Sequence, residues 1–220
     1  MTVSPVMQRL ARYITQAPKK RLPAAVAEKT KHHVLDTIAA MVSGAPLLPG
    51  KKAISYARTR GGVKEACVVA TGIVTSAENA ALANGMLAHA DETDDSHAPS
   101  LTHPGCGIVP AALAMGEREQ ASGEALLRAV ALGYDVGCRL TQSLNAYEFR
   151  EDGHSTHSFG PMFGAAAASA ALVRLNERHL DNPIGFSIHD ASCGNLSSRH
   201  RVRILQYRVR LGSQPYVGAQ

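Results

Sequence analysis

The segment STHSFGPMFGAAAASAALVRLNE, residues 155–177, is dominated by alanine, glycine and other small residues. Small side chains of this kind let neighbouring helices approach closely, and they suit a helical bundle better than a β-sandwich. The rest of the chain has the same character, because aromatic residues make up only 5% of the 220 residues and tryptophan is absent. We therefore predict a mainly α-helical fold of closely packed helices.

Apolar spacing predicts the second helix and a short strand. The second helix is expected to start near Pro23 and to stop at Gly44. Five apolar residues are expected to turn inward: Val26, Val34, Leu35, Ile38 and Met41. The segment ACVVATG, residues 66–72, is apolar and β-branched and is bounded by glycines, so it predicts a strand.

Capping residues predict where other helices begin. The first helix is expected to open at Ser4 or Pro5, and residues 50–60 are expected to form the third. Ser76 and Ser122 each precede a helical pattern and are predicted N-caps. Between the two helices that they open, residues 108–115 are also predicted to be helical, and a loop is expected from the end of the Ser122 helix to about residue 153.

Composition narrows the class of protein. The N-terminus lacks the apolar core of a signal peptide, and no run of apolar residues approaches the length of a membrane span. A soluble cytoplasmic protein without a membrane partner is therefore expected. The cysteines show no C-x-x-C spacing and indicate neither a zinc ribbon nor a disulfide scaffold: Cys67, Cys106, Cys138 and Cys193.

The chain changes character beyond Asp181. Residues 182–220 carry five arginines and one acid, and the stretch RHRVRILQYRVRL within them alternates basic and apolar residues like a strand. Nucleic-acid binding would depend wholly on this tail, because the first 181 residues are nearly balanced in charge. A nucleic-acid partner is therefore not expected.

The loop HADETDDSHAPSLTHPG, residues 89–105, concentrates three histidines and four acids. His97 and His103 with Asp94 and Asp95 could ligate zinc or iron, but the H-x5-H spacing matches no recognised ligand pattern, so no metal site is predicted. The second polar loop, GHSTHSFG, does not fit the nucleophilic-serine motif either, because it has histidine where the second glycine is required.

Acid–base chemistry on an anion is the function that these loops favour. His103 stands just before one predicted helix, and His154 stands before Ser155 and Thr156, which can cap the alanine-rich helix. Helix N-termini attract carboxylates, and histidine exchanges protons near neutral pH. The alternative is that these are ordinary polar loop residues with capping hydroxyls.

Three stretches together resemble the MmgE/PrpD family over residues 5–178: ANGMLAHADETDDSHAPSLTHPGCGIVPAALAMGE, GEALLRAVALGYDVGCRL and GHSTHSFGPMFGAAAASAALVRL. The family includes 2-methylcitrate dehydratase, cis-aconitate decarboxylase and iminodisuccinate epimerase. The resemblance implies a large all-helical domain with a smaller α+β lid, a homodimer, a di- or tricarboxylate substrate, and no required metal or organic cofactor.

The resemblance also assigns roles by position. It implies that His103 carries the proton at the carbon beside a carboxylate, and that His154 binds or protonates a second carboxylate or a leaving group. The family's aspartate pair falls on Asp94 and Asp95, which completes the implied catalytic set. The implied substrate-binding residues are Glu92, Ser96, Ser155 and Thr156.

The chain departs from the family pattern near residue 181. The family continues with a lysine-bearing segment and the lid, whereas no lysine follows Lys64 here. We therefore expect residues 1–181 to form an incomplete helical domain without the lid, and residues 182–220 to be a divergent Arg-rich tail that is either frameshifted or disordered. An alternatively terminated product or a truncated gene would give a similar sequence. The expected function is that of a lyase of the 2-methylcitrate dehydratase type. The alternatives are a catalytically impaired remnant that acts as a helical dimerisation module, and decarboxylase or epimerase activity.

Overall fold

The computed structural model describes residues 5–176, and the predictions for the tail at 182–220 lie outside this range. Within it, eight α-helices and one small hairpin confirm the mainly α-helical prediction. The helices are α1 Pro5–Gln16, α2 Ala24–Gly44, α3 Leu48–Arg60, α4 Ala77–Ala88, α5 Gly105–Arg118, α6 Gly123–Ser143, α7 Ala146–Glu151 and α8 Thr156–Leu172. None of these helices is both long enough and apolar enough to cross a lipid bilayer.

Three helices begin at the serines singled out in the sequence. Ser76, Ser122 and Ser155 are the N-caps of α4, α6 and α8. Each hydroxyl accepts a hydrogen bond from the backbone N–H three residues later, at 3.5, 3.2 and 3.1 Å respectively. The caps satisfy backbone donors that the first helical turn leaves free, so local sequence fixes these helix starts.

Glycines bring α6 and α8 into close contact. A Cβ atom on Gly137 would lie 2.5 Å from the carbonyl oxygen of Gly160, and one on Gly164 would lie 2.5 Å from that of Gly133. Real Cβ atoms do not approach backbone this closely, so all larger side chains are excluded here. The glycine seam, defined by Gly133, Gly137, Gly160 and Gly164, therefore sets the spacing of the two helices.

The apolar core lies on both sides of this helix pair. The larger cluster joins α2, α4, α5 and α6 and includes Met41, Leu87, Ile108 and Val130, all fully buried. A second cluster packs Ile14 of α1 against α6 and α8. Helix α5 lies between α4 and α8, so the loop that precedes α5 is held among packed helices.

The inward face predicted for α2 is wrong in part. The helix spans the predicted residues and buries Met41, but Leu35 and Val26 are 67% and 43% exposed. Thr37, rather than Leu35, is fully buried beside Met41. Since each residue turns the helix by about 100°, Leu35 points about 200° away from Thr37. Apolar character alone therefore misassigned the buried stripe.

The predicted strand at 66–72 is also mostly wrong. Only β1, Ala66–Cys67, is extended, and it pairs antiparallel with β2, Val74–Thr75. Between the strands the chain reverses, since the N–H of Val68 donates to the carbonyl of Ile73 at 2.9 Å. The buried side chain of Asn84 in α4 bonds the N–H of Val69 and the carbonyl of Cys67, each at 2.9 Å. These bonds replace strand pairing.

Candidate active site

The loop between α4 and α5 is held by bonds within itself and to α8. The N–H of His97 donates to the carbonyl of Thr102 at 2.9 Å, and the hydroxyls of Ser100 and Thr102 lie 2.7 Å apart. The buried Thr156 hydroxyl, at the start of α8, donates to the carbonyl of Leu101 at 2.6 Å. The start of α8 is thereby joined to the loop that carries His103.

The neighbouring aspartates of this loop face different partners. Asp94 has a fully buried side chain and lies against His89 and His103. Asp95 instead bonds His33 of α2 and Tyr134 of α6. The predicted pair therefore divides between two clusters, and only Asp94 accompanies His103.

The Asp94 cluster contains three imidazoles. The Nδ1 atom of His89 lies 3.2 Å from both carboxylate oxygens of Asp94. The Nδ1 atom of His103 lies 3.7 Å from one of them, which is too long for a hydrogen bond. Among the described residues this buried nitrogen has no hydrogen-bond partner. The ring of His103 stacks on that of His157, with centroids 5.0 Å apart.

Electrostatics favour neutral groups around His103. Burial lowers the pKa of His157, and the positive charges that His103 and His89 acquire on protonation lower it further. Burial, and then the hydrogen bond and negative charge of Asp94, raise the pKa of Cys106 far above its ordinary value. His157 is therefore neutral and the Cys106 thiol protonated near neutral pH, so Cys106 is poorly suited to be a nucleophile.

The Asp95 cluster ties the loop to three helices. One carboxylate oxygen of Asp95 accepts from Tyr134 at 2.8 Å and lies 2.8 Å from Nδ1 of His33, while the other accepts from the N–H of Gly105 at 2.8 Å. A Cβ atom on Gly105 would lie 2.6 Å from Asp95 and from Thr37, so glycine is needed there. The N-terminus of α5 was predicted to bind a substrate carboxylate. In the structure the N–H of its first residue, Gly105, is bound by the protein's own Asp95.

These bonds shift the acidity of the cluster. Burial opposes ionisation of Asp95, but the hydrogen bonds from His33, Tyr134 and Gly105 together outweigh it and lower the pKa of the carboxyl group. Burial and the Asp95 charge raise the pKa of Tyr134 strongly, so its hydroxyl remains a donor. Asp95 is therefore a charged anchor for the loop.

We expect the Asp95→Asn variant to be less stable than the native chain by about 2 kcal/mol at pH 7, because Asn cannot accept all three bonds. A carboxyl group whose pKa is lowered by folding stabilises the fold above its unfolded pKa, about 3.9, and loses this effect as pH falls through the folded value. The difference between the two proteins should therefore shrink below about pH 4. Urea unfolding at pH 7 and pH 3 tests this, with the exposed Asp36→Asn as control. An undiminished difference at pH 3 would contradict the charge-based explanation.

The three site residues predicted at the start of α8 each contact another part of the protein. His154 stacks on Phe149 of α7, with ring centroids 4.5 Å apart, and the α8 imidazole that packs on His103 is His157. Ser155 caps α8, and Thr156 is committed to its bond with the loop. Their predicted roles toward a substrate stay predictions.

Glu92 and Ser96 lie at the exposed side of the loop. Glu92 has a left-handed backbone, with φ of 55°, and its charge acts on His157. It therefore borders the Asp94 cluster, whereas the structure shows no comparable interaction for Ser96 in the described part of the chain. Their assignment to substrate binding is untested.

The metal ligands weighed in the sequence do not come together. His97 bonds the Ser100 hydroxyl at 2.8 Å and Asp95 bonds His33, so neither turns toward His103. A different group, His89, Asp94 and Cys106, places its ligand atoms within 4.8 Å of one another. Spacing along the chain could not identify this set, because its atoms meet only through the packing of α4 against α5: His89 is the C-cap of α4 and Cys106 lies in α5.

A separate cleft of about 580 Å³ lies between α2 and α6. His33 and Tyr134 reach its wall from the Asp95 cluster, and Lys29 and Arg139 place positive charge around it. Sequence reasoning missed His33, His89, Tyr134 and His157. The paired histidines of the motif KHHV were the one signal for His33, while Tyr134 resembled any other core aromatic residue.

Comparison with known proteins identifies the family. The profile of the MmgE/PrpD N-terminal domain matches residues 8–202, which extends past the boundary that the sequence placed at residue 181. The chain is 26% identical over 196 residues to the cis-aconitate decarboxylase-like protein oryM of Aspergillus oryzae, covering 84% of this chain and 40% of that protein. It is 25% identical over 187 residues to the cis-aconitate decarboxylase of Aspergillus terreus, covering 81% and 37%.

The chain thus spans about two fifths of the length of the curated relatives it matches. Both alignments cover more than four fifths of this chain. The profile match covers well over half of the chain. The chain belongs to the MmgE/PrpD family.

Proposed function

We propose that this chain carries the proton-transfer groups of an MmgE/PrpD-family lyase, which act at the carbon beside a carboxylate of a di- or tricarboxylic acid. The observation that supports this most directly is the Asp94 cluster, where a buried carboxylate lies beside His103 and two further imidazoles. Such a carboxylate–imidazole arrangement is suited to general acid–base catalysis near neutral pH.

In this proposal His103 exchanges the proton. Its Nδ1 atom faces the carboxylate of Asp94, so Nε2 is the nitrogen left to accept a proton from the substrate carbon. The buried negative charge of Asp94 stabilises the imidazolium that forms. At 3.7 Å Asp94 makes no hydrogen bond to this ring, so its role in the proposal is electrostatic.

Substrate carboxylates would be bound by the groups around this pair. His89 is 46% exposed and can donate to an anion when protonated, and His154, Ser155 and Ser96 are the further candidates from the sequence. Neutral His157 packs against His103 and shields it from water on one side. A binding surface of imidazoles and hydroxyls selects polyanionic acids over neutral substrates.

The bond broken or formed together with proton transfer distinguishes the members of the family. A dehydratase removes the proton and releases hydroxide, which is protonated to water; a decarboxylase releases CO₂, leaves the electron pair on the substrate and delivers a proton to carbon; and an epimerase returns the proton to the other face. The two relatives compared above bear decarboxylase names. Dehydration is the reaction proposed here, and decarboxylation or epimerisation is the alternative.

The proposal includes a homodimer in the cytoplasm. Leu35 and Val42 of α2 and Leu48 of α3 are large apolar side chains with more than half of their surface exposed. Exposed apolar surface of this kind supports a protein contact.

The experiment is to incubate the purified chain with 2-methylcitrate, cis-aconitate and iminodisuccinate, and to follow substrate and product by proton NMR in D₂O. We expect solvent deuterium to enter the carbon beside a carboxylate in the substrate or the product of at least one of them, because each reaction either takes a proton from that carbon or delivers one to it. An Asp94→Asn variant is expected to exchange far more slowly. Absence of both exchange and product with all three acids would contradict the proposal.

A further inference from the structure

Three metal-ligand atoms of different chemistry converge at the junction of α4 and α5. His89 is the C-cap of α4, Cys106 lies in the first turn of α5, and Asp94 lies on the loop between them. Their nitrogen, sulfur and oxygen atoms all lie within 4.8 Å of one another. The Nδ1 atom of His89 lies 3.2 Å from a carboxylate oxygen of Asp94.

This donor set suits a borderline transition-metal ion. Zinc is bound by histidine nitrogen, cysteine sulfur and aspartate oxygen, and sites with three protein ligands leave a fourth position open. Bonds of about 2.0–2.3 Å in a tetrahedron place ligand atoms about 3.3–3.8 Å apart. The ligand atoms here lie within 4.8 Å of one another, so rotation of the three side chains has to shorten the longest separation by up to about 1.5 Å.

The surroundings of the three ligands are consistent with a bound cation. The carboxylate of Asp94 has no solvent exposure, so its charge needs a counter-charge within the protein. The Nδ1 atom of His103, 3.7 Å from the same carboxylate, is buried and without a hydrogen-bond partner in the part of the chain described.

We propose that His89, Asp94 and Cys106 form a binding site for Zn²⁺ or a similar divalent transition-metal ion. Cys106 binds as the thiolate, and its proton is released to solvent as the ion enters. The site does not depend on the lyase proposal, but it uses the same Asp94. A bound ion therefore takes the carboxylate away from His103, so that metal binding and proton transfer exclude each other.

The full 220-residue chain is first treated with a chelator, which is then removed. The chain is next titrated with Co²⁺, and binding is measured by absorption spectroscopy. We expect a visible spectrum typical of tetrahedral cobalt together with a near-ultraviolet thiolate-to-cobalt band, both removed by added Zn²⁺. In Cys106→Ser the near-ultraviolet band should vanish and the affinity should fall about a hundredfold or more, since loss of even an outer partner of a metal ligand costs about 10–100-fold. The matched control is Cys138→Ser, because Cys138 is a half-buried cysteine on α6 outside the ligand group.

A second variant guards against misfolding of the first. The side chain of His89 is 46% exposed, so His89→Gln is expected to keep the helical circular dichroism of the native chain and still to lose most of its cobalt affinity. Native-like cobalt binding by folded Cys106→Ser or by His89→Gln would overturn the proposal. Absence of a thiolate band in the native chain would also overturn it. Neither result bears on deuterium exchange into the acids, so failure here is distinguishable from failure of the lyase proposal.

Discussion

Replacing Gly164 by alanine is expected to lower the free energy of unfolding by about 3 kcal/mol, which corresponds to a fall in Tm of about 6–12 °C. The added Cβ atom would lie 2.5 Å from the carbonyl oxygen of Gly133 and 2.6 Å from the side chain of Ile108. The nearest of these atoms is backbone, which cannot rotate away, so α6 and α8 must move apart. That movement opens space along the glycine seam and weakens every apolar contact between the two helices.

Gly123→Ala is the matched control for this prediction. Gly123 is the first residue of α6, and a Cβ atom there meets nothing within 4 Å. Because alanine is the better helix former, this variant should be equally stable or more stable by up to about 1 kcal/mol. Thermal and urea unfolding followed by circular dichroism measures both variants. Equal stabilities of the two variants would show that the glycine seam tolerates a side chain.

The second large effect is expected in catalysis. His103→Gln should lower the rate of proton exchange in the acid substrate by about 10²–10⁴-fold, because glutamine cannot accept the proton and Asp94 then has no imidazolium to stabilise. The loss should appear in the rate constant at saturating substrate more than in KM, since the step removed is proton transfer and not binding.

The control for His103 is His32→Gln. His32 is an exposed histidine of α2 whose only recorded ion-pair partner among the described residues is Glu28, at 3.6 Å. This variant should exchange the substrate proton at the native rate. A folded His103→Gln protein with near-native exchange would remove His103 from the mechanism and direct attention to His89 and His157.

Much of the helical layout could be predicted because its signals are local. Ser76, Ser122 and Ser155 mark helix starts through bonds that span three residues, so they can be identified without knowing the fold. The small residues of α8 likewise indicate close helix packing before any partner is known. Helix α7, Ala146–Glu151, was missed because six residues give too few turns for a periodic pattern.

The errors arise where distant parts of the chain decide the outcome. Leu35 is apolar yet exposed, because Thr37 and Met41 occupy the side of α2 that faces the core. Residues 68–72 turn instead of extending, and Asn84 of α4 binds the backbone of Cys67 and Val69 at this turn. The sequence also could not predict that Asp94 and Asp95 face different clusters, since this depends on His33 and on side chains of other helices.

The bonds of Asp95 also determine when the site forms during folding. Tyr134 follows Asp95 by 39 residues along the chain. His33, which also contacts Asp95, lies in α2, well before Asp95 in the sequence. Contacts between such distant segments form only after the intervening chain has been ordered. A partly folded chain that has its helices but not their packing therefore lacks the Asp94–His103 geometry. Proton exchange should consequently recover with the last tertiary phase of refolding, later than the helical circular dichroism signal.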